Sequence, residues 1–172
     1  MNTSVSDGGE KAQLSVLFVC MGNICRSPLA EGIFRKGLAD AGLDTLVKVD
    51  SAGTGNWHVG DPPDPRSVET AAENGMDISR QRARQVSDDD YDRFDLIFAM
   101  DRSNEATLKA RAPSSRHDRI HLFLDYTLGM RTDVPDPYYG GADGFDAVYQ
   151  LLREGCQALL DRLGTELRQP RG

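Results

Sequence analysis

The sequence is poor in the features that mark several protein classes. Its 172 residues include only three cysteines, Cys20, Cys25 and Cys156. Three thiols cannot complete a set of disulfides, and their spacing matches no zinc site. A reducing compartment is the expectation. The three histidines, His58, His117 and His121, are scattered and offer no paired metal ligands. No apolar run approaches the roughly 18–20 residues that cross a bilayer, and the opening MNTSVSDGGEKAQ lacks both a basic start and an apolar centre. Neither membrane insertion nor classical secretion is therefore expected. Positive charge is also scarce: 20 Lys+Arg against 27 Asp+Glu leave a formal charge of −7. Without a basic stripe the chain is no general nucleic-acid binder. An anionic ligand has to be gripped by local geometry.

What the chain does have is a regular alternation of strand and helix signals. Residues 1–13 and 168–172 are polar and read as tails, leaving one domain over 14–167. Leu14–Val19 is an apolar run suited to a strand buried on both faces. A helix is predicted from Pro28 to Ala41, with Ser27 as its cap and Gly42 as its stop. Further strands are predicted at 46–52, 94–100 and 119–124, and helices at 66–74 and 103–112. From Phe145 to Leu163 apolar residues keep helical spacing. The acidic run Asp88-Asp89-Asp90 reads as a solvated turn. This order implies a parallel sheet with helices on both faces, whose ligands sit beyond the carboxyl ends of the strands. Four segments then become candidates for a site: Cys20–Ser27, Gly53–Asp64, Asp101–Asn104 and Thr132–Tyr139.

The first of these carries chemistry. Cys20-Met21-Gly22-Asn23-Ile24-Cys25-Arg26-Ser27-Pro28 places an arginine six positions after a cysteine. Cys156 and Arg162 share that spacing, but inside a helix six steps of 100° set two side chains about 240° apart, so they cannot converge. The first pair instead follows a buried strand and precedes a helix, with Gly22 and Asn23 tolerating unusual backbone angles. Such a loop can turn successive N–H groups inward around an anion, and the helix N-terminus adds partial positive charge. Arg26 supplies a planar fork for two phosphate oxygens. The same cradle favours a thiolate at Cys20.

At these residues the chain resembles the low-molecular-weight protein tyrosine phosphatases. Beyond Phe18–Pro28, the likeness extends through Asp50-Ser-Ala-Gly-Thr54, Trp57, Gly60, Pro63-Asp-Pro-Arg66, Ala83-Arg-Gln85, Met100-Asp-Arg-Ser-Asn104 and Asp136-Pro-Tyr-Tyr139, covering about residues 14–163. The resemblance implies a cytoplasmic enzyme that needs no metal or cofactor, built as a three-layer α/β sandwich around a four-stranded parallel sheet. It implies Cys20 as the nucleophile that forms a phosphocysteine, Arg26 as the phosphate clamp and Asp136 as the acid that protonates the leaving phenol. Residues Met21, Gly22, Asn23, Ile24, Cys25 and Ser27 would wrap the phosphate, while Asn23, Ser27 and Ser51 hold the loop in shape. Gln81 departs from the pattern, standing where many members carry a histidine that joins this network. Phosphotyrosine-bearing proteins are the implied partners, a tyrosine kinase among the candidates, with inorganic phosphate or a similar oxyanion as a ligand.

Chemistry supports Asp136 independently, since an aryl ester needs a proton for its leaving oxygen and this carboxylate precedes a restricting proline and two rings. Asp101, the rival, is explained by a helix cap. Trp57, Tyr138 and Tyr139 could wall a slot for a flat phenyl phosphate. Cys25 has two readings, packing beneath the loop or resolving an oxidised Cys20 as a disulfide. Cys156 is expected to face the core. Two other functions share these features: an arsenate reductase-like redox enzyme, which needs further relay cysteines, and a non-catalytic phosphotyrosine-binding or redox-sensing module, which needs no acid.

Overall fold

The structure, a computed structural model, describes residues 12–167. Most of the N-terminal tail, and all of residues 168–172, therefore lie outside the described residues. Gln13, at the end of that tail, is already pinned: its amide donates to the Leu46 carbonyl at 2.7 Å.

Four strands, β1 (Leu14–Cys20), β2 (Val47–Gly53), β3 (Leu96–Ala99) and β4 (Ile120–Leu122), form one parallel sheet in the order β2-β1-β3-β4. The helices are α1 (Arg26–Asp40), α2 (Pro65–Glu73), α3 (Asp90–Arg93), α4 (Arg102–Arg111), α5 (Phe123–Leu128) and α6 (Ala142–Leu167). Because strand side chains alternate, β1 feeds two cores. Val16, Phe18 and Cys20 face a layer built from α1, α2, α5 and α6, whereas Leu17 and Val19 face α3 and α4. The result is the expected three-layer sandwich. Phe18 anchors its larger half, with Phe34, Phe98 and Phe123 each within 6 Å between ring centres. No helix among the described residues is long and apolar enough to cross a membrane.

Strand β1 is central, and the chain leaves it first towards β2 and later, via β3, in the other direction. Its carboxyl end is thus the switch point where a parallel sheet opens a crevice. Three local expectations are overturned. Helix α1 begins at Arg26, and Ser27 makes no cap; its hydroxyl is engaged elsewhere. The fourth predicted strand stops at Leu122, because the apolar pair Phe123-Leu124 opens α5, closed by Gly129 at φ 71°. The acidic run is only partly solvated. Asp90 is fully buried, holding the Arg84 guanidinium at 2.9 and 3.1 Å and the Ser87 amide at 2.8 Å.

Candidate active site

The loop from Cys20 to Ser27 folds back on itself between β1 and α1. Asn23 supplies the reversal by adopting φ 58°, a left-handed conformation that asparagine tolerates better than most residues. Four of the loop's carbonyls are held by neighbouring segments. The Cys20 and Met21 oxygens accept from the Thr54 and Gly55 amides at 2.9 Å, and the Ile24 oxygen from the Asp64 amide at 2.8 Å. The Cys25 oxygen takes the Ser67 hydroxyl at 3.3 Å. Among the described residues, none of the amides of residues 21–25 donates to a main-chain carbonyl. With the uncapped first turn of α1, these amides are left without main-chain acceptors, which is what the expected anion nest requires.

Side chains behind the loop fix its shape. The Asn23 carboxamide donates to Ser27 Oγ at 2.8 Å and Ser51 Oγ at 3.1 Å, and accepts from the Arg84 amide at 3.0 Å. The Ser51 hydroxyl donates in turn to Glu31 Oε1 at 2.7 Å. Since Ser27 Oγ accepts from Asn23, its hydroxyl proton is free for Cys20 Sγ, 3.0 Å away. Asn23, Ser27 and Ser51 are all buried, so their side chains support the cavity rather than line it. Glu31 is a residue sequence reasoning missed. Burial pushes its carboxyl above the ordinary value, against the hydrogen bonds from Ser51 and Arg35. Gln81 does not replace the histidine's link: its amide donates to the Pro28 carbonyl at 3.0 Å, and its buried oxygen has no partner among the described residues.

Arg26 points inward and is only 3 % exposed. Its Nη1 spends both protons on protein, one to Asp101 Oδ2 at 2.7 Å and one to the Val134 carbonyl at 2.9 Å. The Nε and Nη2 edge makes no hydrogen bond to protein among the described residues, and that edge is the two-pronged face that fits an oxyanion. Asp101 caps α4, as expected, through the Asn104 amide at 2.7 Å. It also orients Arg26, which the cap alone concealed. Asp136 Oδ2 lies 3.7 Å from Arg26 Nη2, and its Oδ1 accepts from the Tyr138 amide at 3.0 Å.

Together these groups enclose a cavity of about 270 Å³. Cys20, Met21, Gly22, Ile24, Cys25 and Arg26 make its floor, and Trp57, His58, Asp136, Tyr138 and Tyr139 its rim. The rim aromatics stand in the open, Trp57 at 61 % and Tyr139 at 91 % exposure. His58 joins them, its Nδ1 held 3.2 Å from Asp61. Cys25 is buried, and burial reinforced by Asp64 pushes its thiol up to about 12. Cys156 lies wholly inside the core, away from the cavity, where burial raises its thiol as well.

A buried thiol, an inward guanidinium edge and a carboxylate thus meet in one cavity at the mouth of a parallel sheet. Residues 15–169 match the family model described as low molecular weight phosphotyrosine protein phosphatase. The low molecular weight protein-tyrosine-phosphatase YfkJ of Bacillus subtilis is 46 % identical over 154 residues, 89 % of this chain and 97 % of its own; the YfkJ crystal structure superposes with a TM-score of 0.85 at 44 % identity, covering 94 % and 100 %. A protein tyrosine phosphatase from Entamoeba histolytica, solved with Hepes in the active site, gives 0.84 at 37 % identity over 90 % and 99 %. The YwlE arginine phosphatase, captured as a mutant with a phosphorylated active-site serine, gives 0.80 at 26 % identity over 92 % and 98 %. The chain belongs to the low-molecular-weight protein tyrosine phosphatase family and is a phosphatase enzyme.

Proposed function

We propose that the enzyme hydrolyses phosphotyrosine in proteins, and other aryl phosphate monoesters, through a phosphocysteine intermediate. The observation that carries this reading is the convergence of Cys20, Arg26 and Asp136 on one cavity, beside a loop whose amides from Met21 to Cys25 donate to no main-chain carbonyl among the described residues. The phosphate dianion sits in the nest with two oxygens on Arg26. Cys20 attacks phosphorus in line, the P–O bond to the phenol breaks, and Asp136 gives the departing oxygen its proton. In the second step Asp136, now a carboxylate, takes a proton from water as that water attacks phosphorus, and the S–P bond breaks. Ser27 stabilises the sulfur as an anion both before attack and on departure. Fixed amides and the guanidinium stabilise the equatorial oxygens without reorganising, which is where most of the rate originates.

An aryl leaving group suits the walls. Ile24 and Met21 offer apolar floor, and Trp57, Tyr138 and Tyr139 offer ring faces and edges to a phenyl group. The reductase alternative is disfavoured because Cys156, the sole thiol beyond the loop, is enclosed in the core. The non-catalytic alternative leaves Asp136 at the rim without a purpose. Three free thiols and no disulfide among the described residues suit a cytoplasmic enzyme whose single domain spans 14–167, with tyrosine-phosphorylated proteins, a tyrosine kinase included, as substrates.

Purified enzyme scanned against phosphotyrosine, phosphoserine and phosphoarginine peptides and arsenate tests the assignment. Turnover is expected on phosphotyrosine, with acid quench and mass spectrometry locating the phosphoryl group on Cys20. Preference for phosphoarginine, reduction of arsenate, or turnover with no adduct on Cys20 would overturn it.

A further inference from the structure

The segment Pro63-Asp64-Pro65-Arg66 stands beside the cavity without a part in the steps above, and its arginine is placed unlike an ordinary surface cation. Asp64 ends the loop that leaves β2. Its amide holds the Ile24 carbonyl of the phosphate loop, and its carboxylate caps α2 at the Arg66 amide, 2.9 Å away. The same carboxylate receives Arg66 in two prongs, Nε to Oδ1 at 3.0 Å and Nη2 to Oδ2 at 2.9 Å. The opposite side of the guanidinium reaches the acid-bearing loop, Nη2 donating to the Tyr138 carbonyl at 3.0 Å and Nη1 to the Gly140 carbonyl at 3.1 Å. Its plane lies over the Phe145 ring of α6 at 4.6 Å and near the Tyr138 ring at 5.5 Å. Among the described residues these are the only hydrogen bonds that tie residues 136–140 to another part of the chain.

We propose that Arg66 is a positioning residue that sets the general acid over the phosphate loop. A continuous strut runs from Ile24 through the Asp64 amide and carboxylate, across the guanidinium, to the Tyr138 and Gly140 carbonyls. Tyr138 then returns its amide to Asp136 Oδ1. The strut fixes the height of the carboxylate above the nest. Arginine suits the task because one rigid plane satisfies a carboxylate and two carbonyls at once; a lysine ammonium is a point donor without that geometry. Misplacing a reacting group by about 1 Å costs on the order of 10²-fold, so the effect should be visible in kcat.

The inference rests on Asp136 being the acid, and the test separates the two. Enzyme variants Arg66→Met, Arg66→Lys, Asp136→Asn and the Arg66→Met/Asp136→Asn pair are compared on phenyl phosphate and on an ester of a strongly acidic phenol, with inorganic phosphate inhibition as a readout of loop integrity. Arg66→Met is expected to lower kcat on phenyl phosphate by about 10- to 100-fold, far more than on the acidic ester. The phosphate inhibition constant should stay within about threefold, Arg66→Lys should fail to rescue, and the pair should be no more leaving-group-sensitive than Asp136→Asn alone. If Arg66→Met does not fold, Arg66→Gln, which keeps a donor for one loop carbonyl, carries the same comparison. Equal losses on both esters, full activity of Arg66→Lys, or additive effects in the pair would overturn the positioning role. Should Asp136→Asn itself lose equally on both esters, the acid assignment fails first and the proposal with it.

Discussion

Two loops meet at the cavity, and they are built in opposite ways. The loop from Cys20 to Ser27 is mostly buried, with Met21 exposed and Gly22 and Ile24 half-buried, and its carbonyls and side chains are tied to β2, to the segment 54–67 and to α1. The loop carrying Asp136 lies near the surface, with Tyr138 and Tyr139 in the open; among the described residues Arg66 makes the hydrogen bonds that tie residues 136–140 to another segment, and Arg26 adds an ion pair to Asp136 at 3.7 Å. The contrast fits the division of labour. A nest that must match an oxyanion on several sides gains from having no alternative conformation. In the mechanism proposed above, the proton donor sits where the phenol leaves, and a lightly tethered segment can yield when product departs.

Four substitutions and one treatment probe that contrast, from the largest effect downward. Cys20→Ser replaces the sulfur in the rigid half and should cut turnover of an aryl phosphate by at least about 10⁴-fold. Phosphate binding should survive, measured by equilibrium titration. Asp136→Asn in the lighter half should cost about 10²–10⁴-fold on phenyl phosphate and much less on esters of acidic phenols, seen in a leaving-group series. The same glycine-to-alanine change should then behave differently in the two surroundings. A Cβ on Gly53 would stand 2.8 Å from the Met21 carbonyl and 3.2 Å from the Asn23 nitrogen, so Gly53→Ala must push the nest open; phosphate affinity should fall about tenfold or more. Gly141 meets nothing within 4 Å, and Gly141→Ala should leave kcat/KM within about twofold. Last, Cys25 and Cys156, buried and held as thiols, should resist iodoacetamide at neutral pH in the folded enzyme and react only after denaturation, read by peptide mapping.

Much of this was legible in residue order because local and global preferences agree. Leu14–Val19, the Gly22-Asn23 pair and the cysteine-to-arginine spacing all describe one object, a strand that runs into a loop and then a helix. What escaped was whatever depends on a partner distant in sequence. Ser27 looks like a cap because it precedes Pro28, yet Asn23 and Cys20 claim its hydroxyl. Asp101 shows a complete local purpose as a cap, which hides its second oxygen on Arg26, 75 positions away. Asp90 resembles its two exposed neighbours until Arg84 folds over it. Glu31 sits within a helix and carries no signal of its task, since Ser51 reaches it only when β2 packs on α1. Phe123 and Leu124 extend an apolar run that periodicity alone cannot divide between a strand and a helix.

The helix that begins at Arg26 is also a main beam of the larger core. It crosses α6 so closely that a Cβ on Gly37 would strike Leu160 at 2.2 Å, and its Leu29, Phe34 and Leu38 are almost wholly enclosed. An oxyanion seated between β1 and this beam therefore binds a structure that the denatured chain cannot offer, and occupancy should register as heat resistance. At a hundredfold excess over Kd the gain is about 2.7 kcal/mol, a rise of roughly 5–10 °C in melting temperature for a chain of this size. Calorimetry could thus rank phosphate mimics even for a catalytically dead variant.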